Sequence, residues 1–421
     1  MNKTIANFRF AIMLNLSLAL TAPYIAAQGL EFITSYSLPP GAYGICVDGD
    51  YAYIANDESG LQIIDITDPY SPNTVGICDT PGNSRAVFVS GDYAYVSDAD
   101  SGLTIIDIAD PHEPGLARSY FTSGTALTAF VSGDFAYIAN GYSGMLVLDV
   151  SDPANPTQAA VYPATGYVMG VYVVGDHAYI SINYLEPDRG ELQVIDISDP
   201  HNPVWRGTGD LTGGAFGISV VGDYAYVAAF DYGIKVFDVS QPESPAVMGS
   251  YNTPGSARHI AINDAYGFVA DSWSGIEALD ISNPYAPIPA DSFNTQNVAN
   301  DVAVAGDYVY VADGDALVIL RFPMTGLQDE VKRPNSYSLL QNYPNPFNAS
   351  TSIRYYLPQA SDVSLTIYDI LGRQVKSLAL GKRQAGYHDV IWDAAGQPSG
   401  IYIYRLRAGE FADTRKMLLA K

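Results

Sequence analysis

Val47-Asp-Gly-Asp-Tyr-Ala-Tyr-Ile-Ala-Asn56 returns as Val89-Ser-Gly-Asp-Tyr-Ala-Tyr-Val-Ser-Asp98. It recurs from Val131, Val174 and Val221, more weakly from Ile262, and again from Val304. The turn glycine stands at Gly49, Gly91, Gly133, Gly175, Gly222 and Gly306, with Asp264 in the sixth slot. The spacings are 42, 42, 42, 47, 42 and 42 residues. A period of this length marks a repeat architecture, and four strands per unit point to a propeller. In the first unit, residues 44–47 form strand a. Gly49-Asp50 is a two-residue hairpin turn, and strand b follows over 51–55. Ser59-Gly60 leads into strand c over 61–66. Asp68-Pro69 breaks the chain before strand d over 74–78. Strands b and c are apolar on both faces, which suits a sheet packed between two others. The five additional residues of the fourth unit fall in 183–189, between two strands.

Seven a-b-c sets exist, but no strand d follows residues 317–322. One precedes the first unit instead: Phe32-Ile-Thr-Ser-Tyr-Ser-Leu-Pro matches Val247-Met-Gly-Ser-Tyr-Asn-Thr-Pro. The expected fold is therefore all-β, a seven-bladed β-propeller closed by an N-terminal strand. Closure removes the open sheet edge. Cys46 on strand a and Cys78 on strand d lie about 14 Å apart, three strand spacings. That is beyond disulfide reach, so two free, largely buried thiols are expected.

The other segments are simpler. Lys3 and Arg9, then the apolar run 10–20, then Ile25-Ala26-Ala27, follow the order of a signal peptide over residues 1–27. No later stretch is long and apolar enough for a transmembrane helix. The propeller takes residues 28–322, a polar linker 323–336, and a small β-sandwich of immunoglobulin type 337–421. The propeller holds 37 acids against 7 bases, while residues 336–421 carry a net +4. So acidic a body repels phosphate backbones and argues against a nucleic-acid partner.

Gly60-Leu-Gln-Ile-Ile-Asp-Ile-Thr-Asp-Pro69 and Gly102-Leu-Thr-Ile-Ile-Asp-Ile-Ala-Asp-Pro111 resemble the LVIVD repeat. That family consists of bacterial and archaeal surface-type propellers. The resemblance covers about residues 29–322 and departs in the last unit, where Arg321 replaces the strand-c aspartate. The tail carries Leu340-Gln-Asn-Tyr-Pro-Asn-Pro-Phe-Asn-Ala-Ser-Thr351, Ile367-Tyr-Asp-Ile-Leu-Gly-Arg373 and Ser399-Gly-Ile-Tyr-Ile-Tyr404. It resembles the type A C-terminal sorting domain of type IX secretion substrates. This resemblance implies the type IX secretion machinery as a partner and a secreted or outer cell-surface location.

No zinc spacing, phosphate-cradling loop or Gly-x-Ser-x-Gly elbow occurs, and no nucleotide or other cofactor is expected. Asp65, Asp107, Asp149, Asp196, Asp238 and Asp280 recur once per unit, as turn-bonding carboxylates do and a catalytic residue does not. Informative positions are those where the units differ. Strand a opens on Tyr43, Arg85, Leu127, Met169, Phe216, Arg258 and Asn300; the next residues are Gly44, Ala86, Thr128, Gly170, Gly217, His259 and Asp301. Two of the seven basic residues occupy this ring. Tyr43, Arg85, Phe216, Arg258, His259 and Asp301 are thus the candidate ligand-binding residues, for an anionic glycan or peptide at the channel mouth. The competing reading pairs both arginines with neighbouring carboxylates such as Asp301. Asp98, Asp100, Asp313 and Asp315 sit in oxygen-rich turns that suit calcium, though without a twelve-residue calcium loop. Tyr142, Phe230, Tyr232 and Trp273 occupy the same loops and suit stacking. Three classes remain: a surface binding or scaffold module, which these features favour; an extracellular hydrolase or lyase acting on polysaccharide or peptide; and a structural adhesin component.

Overall fold

The first residue of each repeat's hairpin turn takes the left-handed conformation a tight hairpin needs. Gly49, Gly91, Gly133, Gly175, Gly222 and Gly306 have φ of 56–58°, and Asp264 holds 51° in the sixth unit. Those turns join strand a to strand b throughout. The computed structural model describes residues 29–184, 189–323, 337–339, 342, 347–357, 360–383, 386–409 and 411–420. The expected signal peptide, nearly all of the linker 323–336, most of the 340–346 motif and residues 185–188 of the fourth-unit insertion lie outside them. The chain divides into two units, Met1–Gly326 and Leu327–Lys421.

The first unit is a propeller of repeated four-stranded antiparallel sheets. Five stand alone, for example Ala86–Ser90, Tyr93–Ser97, Leu103–Asp107 and Gly115–Tyr120 in that order. Strands b and c are buried on both faces; Ile54, Ile63 and Ile64 are fully covered, as are their counterparts Ile105 and Ile106. Each buried side chain of this size contributes about 1.5–3 kcal/mol. The core lies between sheets. Tyr53 and Ile63 pack with Val87 and Val96 of the next unit, and Tyr226 and Val236 with Ile260 and Val269.

A further sheet has six strands, because two of them are long. Tyr308–Arg321 pairs by its first half with Ala299–Ala305 and by its second with Glu31–Asp48. The matched pairs run from Glu31 opposite Arg321 to Ser37 opposite Ala316. Glu31–Asp48 then bends and pairs through Ala42–Asp48 with Tyr51–Asn56. Ile54 and Ile64 pack on Leu317 and Ile319, so the first repeat meets the last.

The once-per-unit aspartates hold turns. Asp65, Asp107, Asp149, Asp196, Asp238 and Asp280 each accept the backbone N–H two residues on, at 2.8–3.0 Å. In the last unit Arg321 stands in place of that aspartate and reaches Asp307 at 3.9 Å. The longer fourth unit is only partly a loop insertion. Its strands b and c grow to His177–Asn183 and Arg189–Asp196. Both cysteines are free; Cys78 is buried, but Cys46 is half-buried. Burial pushes the Cys46 thiol up to about 11, and raises Cys78 as well.

The second unit is an immunoglobulin-like pair of sheets. One orders Ser338–Leu339, Ser350–Leu357 and Gly386–Asp393. The other orders Gln374–Arg383, Ser361–Asp369, Gly400–Ala408 and Phe411–Leu419. Its strands bury alternate residues, Val363, Leu365 and Ile367 on one and Tyr402, Tyr404 and Leu406 on another. One wet face per sheet is what a two-layer sandwich requires. Among the described residues, no helix is long and apolar enough to cross a membrane.

Candidate functional site

Antiparallel strands bring the d–a and b–c loops to one end of the propeller. There the b–c turn of one unit bridges to the start of the next: Asp57 to Ser84, Ala99 to Ala126, Gly141 to Val168, Phe230 to Ala257 and Ser272 to Ala299. The bridging residue of the b–c turn is left-handed in every case, with φ of 47–58°. A buried carboxylate then pins several of the d–a loops. Asp98 accepts from Thr80 Oγ1 (2.9 Å), Gly82 N (2.8 Å), Ser84 Oγ (3.2 Å) and Thr104 Oγ1 (3.2 Å). Asp271 accepts from Thr253 Oγ1 and Gly255 N, both at 2.6 Å. Asp313 accepts from Asn297 N at 3.2 Å. Burial raises the pKa of both Asp271 and Asp313.

This accounts for the proposed calcium acids. Asp98 and Asp313 are buried loop pins, Asp100 accepts from Thr125 Oγ1 at 3.0 Å, and Asp315 accepts from Asn297 Nδ2. Among the described residues, no three His, Cys, Asp or Glu side chains gather as metal ligands.

The loops so fixed present the two arginines of the ring very differently. Arg85 Nη2 lies 3.7 Å from Asp57 Oδ1, with the two side chains 35% and 27% exposed. Its guanidinium sits 4.3 Å over the Tyr43 ring, in cation–π contact. Arg258 has no such partner. Among the described residues no carboxylate pairs with it, and its Nε is buried without a hydrogen bond. Burial pulls its pKa below the usual value, and Tyr43 works against that shift. Arg258 lines an open pocket of about 450 Å³ with Tyr43, Asn297, Asn300, Asp315 and the Pro40-Gly41 turn. Asn300 donates its amide to Ala42 O at 2.9 Å.

Below the mouth, His259 and Asp301 form a pair. His259 Nδ1 stands 2.6 Å from Asp301 Oδ1, a direct contact of imidazole and carboxylate. Asp301 Oδ2 accepts the Ile45 N–H at 3.0 Å, tying the Glu31–Asp48 strand to this wall. The His259 side chain is half-buried, 32% exposed. Burial works to strip its proton, but Asp301 and the Val302 backbone together outweigh that, and the net pKa is raised. Gly217 makes room for the ring, since a Cβ there would fall 2.3 Å from His259 Cδ2.

The sequence candidates thus separate. Tyr43 and Arg258 share the pocket, Arg85 stacks on the same tyrosine while neutralised by Asp57, and His259 and Asp301 pair with each other. Neither arginine pairs with Asp301. Phe216 is not in the pocket; it stacks on Phe230 at 5.1 Å and packs against the core. The contribution of Asn297 went unnoticed in the sequence, because it lies three residues before the ring position its unit supplies. Of the loop aromatics, Trp273 (72%) and Tyr142 (63%) are widely exposed, together with Phe121 (77%).

Comparison with known proteins bears on the fold and family. The chain is similar to the WD40 β-propeller domain of Doa1, with 9% identity and a TM-score of 0.57, covering 72% of this chain and 98% of that one. It is similar also to the Myceliophteria thermophila Cps50 (Swd1) β-propeller domain, with 12% identity and a TM-score of 0.57, covering 69% and 99%. A third similar structure is the computationally designed Ika8 protein, with 9% identity, a TM-score of 0.52 and coverage of 69% and 99%. At such identities the likeness is one of fold. No curated protein matches the chain. The FlgD Ig-like domain model matches residues 347–410. The LVIVD repeat model matches residues 41–80, 81–122, 123–163, 165–210, 212–253, 254–295 and 298–320. With more than half of its length accounted for by those matches, the chain belongs to the LVIVD repeat family.

Proposed function

We propose that the chain is an exported binding module, a seven-bladed ring that takes an anionic glycan or peptide at its channel mouth. The observation that carries this is Arg258: a guanidinium without a carboxylate partner among the described residues, in an open pocket beside Tyr43, Asn297 and Asn300. A cation kept unpaired in so acidic a domain is anomalous unless an anion visits it. The seven-blade reading rests on the seven repeat matches and on the pairing of 31–37 with 316–321, which supplies the missing strand d. Binding is favoured over turnover because His259 and Asp301, the best acid–base pair of the ring, are engaged with each other and with Ile45.

Export rests on the basic, apolar and small-residue order of residues 1–27. The immunoglobulin-like domain is read as the type IX sorting signal from its motifs. Deleting residues 337–421 is then expected to trap the propeller inside the producing cell; equal secretion of both forms would remove that reading.

The mouth is tested by thermal shift of the full chain against acidic and neutral oligosaccharides and peptides. A ligand that binds only the folded state raises the melting temperature. An anionic ligand is expected to stabilise the parent and Arg85→Ala but not Arg258→Ala. Stabilisation that survives Arg258→Ala would place the site elsewhere.

A further inference from the structure

The pocket holds more than a cation, and its other groups narrow what can fill it. Asn297 and Asn300 each commit one side-chain N–H, to Asp315 and to Ala42 O, and keep a second N–H and a carbonyl oxygen. The pocket thus offers one cation, Arg258, a second N–H on each asparagine, and acceptors in the Asp315 carboxylate and the two amide carbonyls. A phosphate or sulfate ester presents only acceptors at neutral pH and would leave the Asp315 carboxylate and the amide carbonyls without donors. The occupant therefore carries one anionic end and hydrogen-bond donors close behind it.

The surroundings set the charge of what lies behind. Glu58, Asp79, Asp100, Asp231 and Asp315 are all exposed on the d–a and b–c loops of this end. Of the seven bases in the propeller, Arg85, Arg189, Arg206 and Arg321 are each paired with a carboxylate, and Lys235 lies half-buried on the strand Ile234–Asp238 against the Tyr232 ring. Arg118 lies on an outer strand, Gly115–Tyr120, away from the mouth. A polyanion such as a polyuronate would gain one ion pair at Arg258 and meet, over the rest of this face, mainly carboxylates and cations already engaged. A chain with a single terminal carboxylate and positive groups behind it meets attraction at both.

Building on the reading of the mouth as an anion site, we infer that the ligand is the carboxyl terminus of a basic peptide. Its carboxylate pairs with Arg258, its last backbone N–H groups face the Asn297 and Asn300 carbonyls, and its Lys or Arg side chains lie over the acidic loops. A pocket of about 450 Å³ accommodates the last two or three residues of such a chain.

The test uses the full-length protein and fluorescent hexapeptides with two lysines before the terminus, as free acid and as amide. An acidic hexapeptide and an oligogalacturonate run alongside. The basic free acid is expected to bind. Amidation, or Arg258→Ala, weakens it at least tenfold, while Arg258→Lys retains part of the affinity. Asp315→Asn and raised salt reduce the preference for basic over acidic sequences. Unchanged melting temperatures of the variants show that folding is intact. Equal binding of acid and amide overturns the inference. Arg258-dependent binding of the oligogalacturonate or acidic peptide, with none of the basic one, overturns the inference and leaves the anion mouth standing. Binding of no carboxylate at all removes both.

Discussion

Arg85 and Arg258 occupy the same position of the repeat, four units apart, on loops held by the same device. Asp98 pins the loop before Arg85 through Thr80, Gly82 and Ser84, and Asp271 pins the loop before Arg258 through Thr253 and Gly255. The scaffolding is alike, but the electrostatics are not. What differs is one residue in the b–c turn of the preceding unit. Beside Arg85 that residue is Asp57, which pairs with it; in the unit before Arg258 it is Phe230, which stacks on Phe216 instead. A repeat protein can thus switch a surface cation between neutral and available without touching the cation itself.

The shared part of this comparison is the costliest to break. Asp271→Ala, or Asp98→Ala, leaves buried Thr hydroxyl and Gly N–H donors unsatisfied. Each substitution should cost about 2–4 kcal/mol in chemical denaturation of the full chain. Asp100→Ala, at the exposed end of the same kind of turn, should stay within about 0.5 kcal/mol. Equal costs for Asp98 and Asp100 would show that the buried carboxylates are not the pins.

Transplanting the counterion comes next. Phe230→Asp gives Arg258 the partner that Arg85 already has, and is expected to weaken anion binding at the mouth by roughly tenfold, about 1.4 kcal/mol. Titration calorimetry of the variant, with its melting temperature alongside, separates lost affinity from lost folding. Undiminished affinity would mean that the turn residue does not control the cation.

The His259–Asp301 pair gives a pH effect. The folded chain holds the His259 proton more tightly than the unfolded chain does. Its stabilising contribution is therefore complete below the unfolded value near 6.5 and disappears as pH rises through the higher folded value. Asp301→Asn should lower the imidazole pKa in an NMR titration and remove this pH dependence. An unmoved pKa would mean Asp301 is not the group that raises it.

The smallest effect is expected for Asp57→Ala. The Arg85–Asp57 pair is partly exposed and worth about 0–1 kcal/mol. The variant should lose little stability, yet acquire a second anion response at Arg85, seen as doubled stoichiometry in calorimetry. A single site in the variant would indicate that Tyr43 alone keeps Arg85 occupied.

The sequence disclosed what repeats. The hairpin glycines, the doubly apolar strands, the turn-bonding aspartates and the N-terminal strand pairing with the last one all follow from a pattern sampled several times in one chain. Cys46 and Cys78 were separable for the same reason, since the frame places them on strands a and d. What could not be read is what happens once, between units. Whether Arg258 has a counterion depends on a turn residue 28 positions earlier, in a different repeat. Asn297 enters the pocket from a loop outside the ring of aligned positions. The fourth unit lengthened its strands as well as its loop, because added residues that alternate well can extend a hairpin in both directions. Phe216 looked like a mouth aromatic by position, and Phe230 drew it aside.

The pairing of Glu31–Ser37 with Ala316–Arg321 has a kinetic consequence. Its partners stand at opposite ends of the propeller sequence, so this contact has almost the greatest separation the domain allows, and loop-closure entropy makes it late to form. Until both ends have been made, the growing chain is an open arc with unpaired strand edges. Once zipped, the ring has no end from which to fray. Opening the ring then requires rupture of this hydrogen-bonded seam or of one of the packed interfaces between neighbouring sheets.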